Sequence, residues 1–289
     1  MRQALIATII FCIFYALQIV FQQLYVRTAI HPLHLNFLSY ALISIVLSFY
    51  FLLFNKKAFI LIPDKKVMPV FILALGGWMV ADFFAVYGLR FSSSINYSIL
   101  SRLMIFVVFT LSILFLHEKA NLNKISATII SALGGMLVIY NFKAKIAINP
   151  GDLFFLITVI TLSISSVARQ KITNKISSFQ LTYLMFIYSA VILGFFTFIL
   201  LPIQGISAYK FIFFNSFVSL VGYSLVNYAI QKGGAVFFTL VANLLPVFTI
   251  IFSSMFLRQL PVVTQILGGI LIIFSIFLFQ KKVKNVLDR

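Results

Sequence analysis

Two opposite charges sit where an apolar chain should carry none. In the stretch 78–102, WMVADFFAVYGLRFSSSINYSILSR, two apolar segments meet at a short polar turn, with Asp82 ten residues before Ser92 and Arg102 ten after it. At 1.5 Å per residue, a helical hairpin turning near Ser92 places both about 15 Å below one surface. That is near the middle of a bilayer core roughly 30 Å thick, where a lone charge costs about 2.5–3.5 kcal/mol on insertion scales. Asp82 and Arg102 are therefore expected as partners. Either Arg102 receives a carboxylate or phosphate while Asp82 holds it poised or takes a proton, or the pair is a salt bridge that only locks two helices together.

A bilayer is implied by everything around the pair. Of 289 residues, 62% are apolar and 9% charged, against about 25% charged in ordinary soluble domains. The apolar residues fall in blocks of roughly twenty, each long enough to span a membrane. Ten spans are predicted, at 4–25, 35–54, 68–89, 93–116, 123–141, 152–170, 180–201, 211–231, 235–257 and 262–280. No linker leaves room for a soluble domain. The run from Ala4 is too long for a cleaved signal peptide and becomes the first span. A net charge of +17 would suggest nucleic acid in a soluble chain. Here the basic residues gather in the turns, fifteen on the N-terminal side against six on the other, with Arg169 counted on the first side. This predicts both termini in the cytoplasm of a multi-pass protein in the cell (inner) membrane. Nucleic acid is not an expected partner; the lipid bilayer and a small-molecule substrate are.

An internal repeat organises the chain. At an offset of 141 residues, segment 91–119 lies over 232–260, placing Leu103 on Leu244, Ser112 on Ser253, and Glu118 on Gln259. Residues 1–141 and 142–289 thus form two halves of five spans each. An odd count forces the halves to insert in opposite orientations, the build of many secondary carriers, whose site lies between the repeats at the midplane. The fold class is an all-α integral membrane protein of ten helices in two inverted repeats, forming one transport domain. The offset turns the opening pair into a constellation, because Asp82 maps onto Tyr223 and Arg102 onto Asn243.

Other residues join it by helical spacing. Trp78 precedes Asp82 by one turn. Span 8 carries Ser216, Ser219, Tyr223 and Asn227 on one face, a stripe expected to line a cavity, with interhelical hydrogen bonding as the alternative. Span 1 offers Tyr15, Gln18, Gln22 and Tyr25, and span 6 offers Thr158, Thr161 and Ser165, hydroxyls that equally well bond their own helix. Pro246 in span 9 allows a bend. Glu118 at the end of span 4 reads as a solvated interfacial carboxylate, with a gate contact as the alternative. Ala127, Ser131 and Gly135 make a small-residue ridge for helix packing; span 5 or 10 is also a surface available to a homodimer. His31 and His34 lack a nearby carboxylate, so no metal site is expected, nor any cofactor. One cysteine, Cys12, excludes an intrachain disulfide. Hydrolase, zinc-protease and phosphate-loop motifs are absent from the sequence, so no enzyme is expected and transport is driven by a gradient. A channel or a lipid scramblase is a rival of another class.

The ends of spans 4 and 5, FLHEKANLNKISATIISALGGMLVI, and of spans 9 and 10, FLRQLPVVTQILGGILIIFSIFL, resemble the paired signature of the drug/metabolite transporter superfamily, EamA type. Each has a span closed by a polar residue, a short linker and a glycine-containing span. The sequence departs at Gln259 in place of the usual glutamate, at Ala127 in place of glycine, and at Ile105 where the second half has Pro246. The resemblance implies export or exchange of small metabolites through a cavity lined by spans 1, 3, 4, 6, 8 and 9. An intramembrane arginine then tilts the substrate toward an anionic or zwitterionic metabolite such as an amino acid or nucleotide derivative. If Asp82 and Arg102 are purely a structural ion pair, efflux of neutral or cationic amphiphiles fits instead.

Overall fold

The computed structural model describes residues 1–25, 32–56, 63–91, 100–139, 150–200, 209–257 and 263–280. Apolar blocks with few internal breakers become helices, because a chain in lipid must satisfy every backbone group within its own segment. In order these are α1 (Arg2–Tyr25), α2 (Pro32–Phe54), α3 (Met68–Phe91), α4 (Met104–Leu116), α5 (Leu122–Ile139), α6 (Gly151–Thr173), α7 (Ser178–Leu200), α8 (Tyr209–Gly233), α9 (Ala235–Ala242), α10 (Leu245–Leu257) and α11 (Val263–Gln280). Among the described residues, six helices are long and apolar enough to cross a membrane and four apolar helices are shorter. They correspond to the ten expected spans, with α9 and α10 together forming the ninth.

The repeat is visible in the helix ends. A shift of 141 residues carries the start of α3 onto that of α8, and both ends of α4 and α5 onto those of α10 and α11. Between α2 and α7 the shift is 146. Contacts obey the same symmetry. Helix α3 packs along α6, and its counterpart α8 along α1. Helix α4 meets α6 as α10 meets α1. Two pairs of counterparts pack on each other, α2 with α7 and α5 with α11, so the axis relating the halves runs from one seam to the other through the centre.

Spans 4 and 9 are continuous in the sequence reading, but both tighten midway. Residues 102–103 and 243–244 are turns between helical stretches. There the backbone makes i→i−3 bonds, Leu103 N–H to Leu100 O at 2.9 Å and Leu244 N–H to Val241 O at 2.9 Å. Such a 3₁₀ turn inside a helix is a frequent mark of a hinge.

Close approach of α3 and α6 depends on small residues. Ser165 donates to Ala74 O at 2.6 Å and Thr158 to Ala81 O at 3.3 Å. A Cβ on Gly77 would stand 2.6 Å from Thr161 O and 3.2 Å from Ser165 Cβ, whereas one on Gly76 would meet nothing within 4 Å. Gly77→Val is therefore expected to cost about 1–3 kcal/mol through overpacking, lowering the unfolding midpoint in detergent, and Gly76→Ala to leave it unchanged or higher.

Candidate functional site

Five helices bring an aromatic cluster and two charges together. Trp78 and Asp82 occupy successive turns of α3, Tyr40 comes from α2, Arg169 from α6, Phe186 from α7 and Tyr223 from α8. Tyr40 donates to Asp82 Oδ2 at 3.2 Å, and Trp78 Nε1 donates to the Tyr223 hydroxyl at 3.0 Å. Ring centroids of Trp78 and Tyr223 lie 4.7 Å apart, Tyr40 and Phe186 5.2 Å, and Tyr40 and Trp78 5.3 Å. Separations of this size favour offset and edge-to-face aromatic pairs. The Arg169 guanidinium lies over the Trp78 ring, 5.9 Å from its centroid. Asp82 and Tyr223 remain partly accessible while Trp78 and Tyr40 are covered.

The partner expected for Asp82 is not the one found. Arg102 gives hydrogen bonds to Asn243 and Ser101, and the cation beside the Asp82 cluster is Arg169, over the Trp78 ring. Depth along a hairpin fixes one coordinate only; the face of α3 bearing Asp82 turns toward α2, while Arg102 turns toward the helices around the axis. Arg169 was also misplaced. Counted as an interfacial charge, it lies inside a helix that runs on to Thr173 and is only 2% exposed. Its Nε donates to Ser165 Oγ at 3.2 Å, and its Nη2 is buried with no hydrogen-bond partner. The signal was available: the stripe Thr158, Thr161 and Ser165 continues by one more turn to Arg169. Tyr40 and Phe186, from spans outside the implied lining, carried no polar pattern to mark them beyond their aromatic type.

Arg102 belongs to a second cluster, at the centre. Its Nη1 donates to Asn243 Oδ1 at 2.9 Å and its Nη2 to Ser101 Oγ at 3.1 Å. Asn243 Nδ2 donates to Ser131 Oγ at 2.8 Å, and Ser131 donates to Leu240 O at 3.3 Å. Repeat counterparts thus hold each other, at the tightened turns of spans 4 and 9. The ridge of span 5 faces inward and serves this contact, since a Cβ on Gly135 would fall 2.6 Å from Arg102 Cδ.

The span 8 stripe divides. Tyr223 joins the aromatic cluster, but Asn227 is 1% exposed and donates to Thr182 Oγ1 at 2.9 Å, leaving its Oδ1 without a partner. Ser216 bonds Ile212 O at 2.6 Å, and Ser219 is buried. The hydroxyls of span 6 bond backbone carbonyls of their own helix or of α3. Gln18, Gln22, Tyr25 and His31 lie outside the residues whose side chains are described. Glu118 is not simply solvated: Lys124 Nζ reaches it at 3.1 Å and Gln170 Nε2 at 3.0 Å.

Ten spans in two inverted halves, meeting over buried charges with rings between them, define a membrane transporter. The sequence matches the EamA-like transporter family twice, over residues 2–140 and 149–280, and the chain belongs to that family and hence to the drug/metabolite transporter superfamily, whose members are transporters rather than enzymes. A solved structure titled "Crystal structure of protein" superposes with a TM-score of 0.80 at 13% identity, covering 98% of this chain and 97% of that one; at such identity the likeness concerns the fold. The curated proteins include no match.

If Gly135 is small because Arg102 needs the space, Gly135→Ala and Arg102→Met damage the same contact. Each is expected to cost about 1–3 kcal/mol, the range for stranding a buried polar partner, and the double variant about as much as one alone. Unfolding midpoints in detergent check this; additive losses would separate the two residues.

Proposed function

We propose that the protein is a secondary carrier for a small zwitterionic or anionic metabolite, an exporter or exchanger in the cell (inner) membrane, with both termini cytoplasmic. The observation that carries this reading is the buried Arg169 Nη2, left without a partner while its guanidinium lies over Trp78, one helical turn from Asp82 on α3. An unmade hydrogen bond to a buried charge costs more than the ~1–3 kcal/mol of a neutral group, and a substrate carboxylate or phosphate would supply the missing acceptor. Asp82, partly accessible, suits an ammonium, and the aromatic rings suit the apolar part between the two ends. A carboxylate and an ammonium on one small molecule match that pairing of charges. Alternating access then follows from rocking of the inverted halves about the midplane. The excess of basic residues on the N-terminal face supports the orientation.

The rival substrate, a neutral or cationic amphiphile, draws on Asp82 and the rings alone. Its companion assumption, an Asp82–Arg102 ion pair, is not needed, since Arg102 is satisfied elsewhere. Counterflow in proteoliposomes distinguishes these substrates and also a channel: preloaded amino acids should accelerate uptake of labelled ones, and an open channel gives no such acceleration. Arg169→Gln is expected to weaken uptake of zwitterions at least about tenfold, as loss of a charge-assisted bond predicts. Asp82→Asn should weaken zwitterions while sparing the corresponding deaminated acids. Transport of cationic amphiphiles alone, unchanged by Arg169→Gln, would replace this reading with the rival.

A further inference from the structure

The face of the protein that carries the end of span 4 is held by a chain of four groups. After α4, His117 adopts a left-handed conformation with φ 53°, and both its N–H and that of Glu118, the latter at 3.2 Å, return to Ser112 O, a left-handed termination that stops the helix and aims the next side chain. Asn121 Oδ1 caps α5 by accepting from Lys124 N–H at 2.9 Å, which fixes where the lysine starts. Lys124 Nζ then meets Glu118 Oε2 at 3.1 Å, Gln170 Nε2 meets Glu118 Oε1 at 3.0 Å, and Gln170 Oε1 accepts from Ala235 N–H at 2.6 Å. The amide orientation is forced, because the carboxylate can only accept and the backbone N–H can only donate.

Lys124 and Glu118 belong to the first half; Gln170 and Ala235 belong to the second. Through Gln170 the end of α4 is tied to the start of α9, so a parting of α4 from α9 at this face must break one of the two bonds of Gln170. Gln170 also follows Arg169 directly. Adjacent residues on a helix point about 100° apart, so α6 presents Arg169 to Trp78 and Gln170 to Glu118, and any turn of α6 that moves one moves the other. The repeat counterparts of Glu118 and Lys124 are the uncharged Gln259 and Gln265, so the sequence has no carboxylate–lysine pair at those positions.

We propose that Glu118 and Gln170 form a one-sided latch that holds the N-terminal face closed in the substrate-free carrier, and that substrate engaging Arg169 loosens it through α6. This rests on the alternating-access reading above. Spin labels at Leu122→Cys and Asn174→Cys, both exposed and on opposite halves, in a Cys12→Ala background and in proteoliposomes, report the separation of the halves at this face. Without substrate, a single short distance is expected. Glu118→Gln should raise the population of a longer distance on the order of tenfold, as exchange of a charge-assisted bond for a neutral one predicts. Gln170→Glu, which sets two carboxylates against each other, should do the same. The swapped pair Glu118→Gln with Gln170→Glu restores an amide-to-carboxylate bond and should restore the short distance, which separates the latch from general misfolding. Unchanged distances in both single variants, or a swap that fails to rescue two disrupted singles, would overturn the latch. Distances respond to it whether or not counterflow occurs, so an inactive wild type would count against the carrier reading alone.

Discussion

Any residue lying on the axis between two inverted halves must meet its own counterpart. That constraint decides what the centre of this molecule can be made of. Two arginines at the positions of Arg102 and Asn243 would face each other as like charges in a medium that screens poorly. The chain has an arginine in one half and an asparagine in the other, and the two make the 2.9 Å bond that joins the tightened turns. The same divergence appears at Asp82 and Tyr223, and at Tyr40 and Phe186, where ring packs on ring. Symmetry supplies the scaffold, and its breaking supplies the polarity.

The two buried arginines play opposite parts because their donors end differently. Arg102 has hydrogen bonds to Asn243 and Ser101, and its stem passes over Gly135. A buried charge so satisfied repays part of its desolvation and is strongly destabilising to uncouple. Arg169 is more deeply buried, yet its Nη2 lacks a partner and its plane rests on a tryptophan. Within one low-dielectric interior the first arginine is a fastening, and the second keeps a donor without an acceptor.

Much of this architecture was legible in the sequence, and the part that was not has a physical reason. Span length follows from bilayer thickness, and the offset of 141 residues returned the same ends for α4 and α10 and for α5 and α11. Asp82, Trp78 and Tyr223 were singled out together, and the structure sets them side by side. What failed was azimuth. Depth and spacing do not say which neighbour a helical face meets: they point Asp82 to Arg102, where the structure sets Arg169 over Trp78, and they point the Ser216–Asn227 stripe to a cavity, where Asn227 turns to Thr182. Arg169 escapes the sequence for a different reason: counting basic residues by the end of an apolar run treats an arginine near the end as snorkelling, when α6 continues to Thr173 and draws it inward.

The tightened turns show how far the halves act as equals. Pro246 alone would explain the one in span 9, since its ring obstructs the carbonyl four residues earlier and it lacks an N–H. Span 4 tightens at the same place with Ile105 in that position and no proline near it. A cause common to both halves is needed, and the contact they share is Arg102 with Asn243. Each side chain leaves its helix toward the axis at the turn itself, so the backbones that present them are held in register by the bond between them. The proline then reinforces a bend that the meeting of counterparts already imposes, and the hinge belongs to the interface of the repeats more than to either sequence.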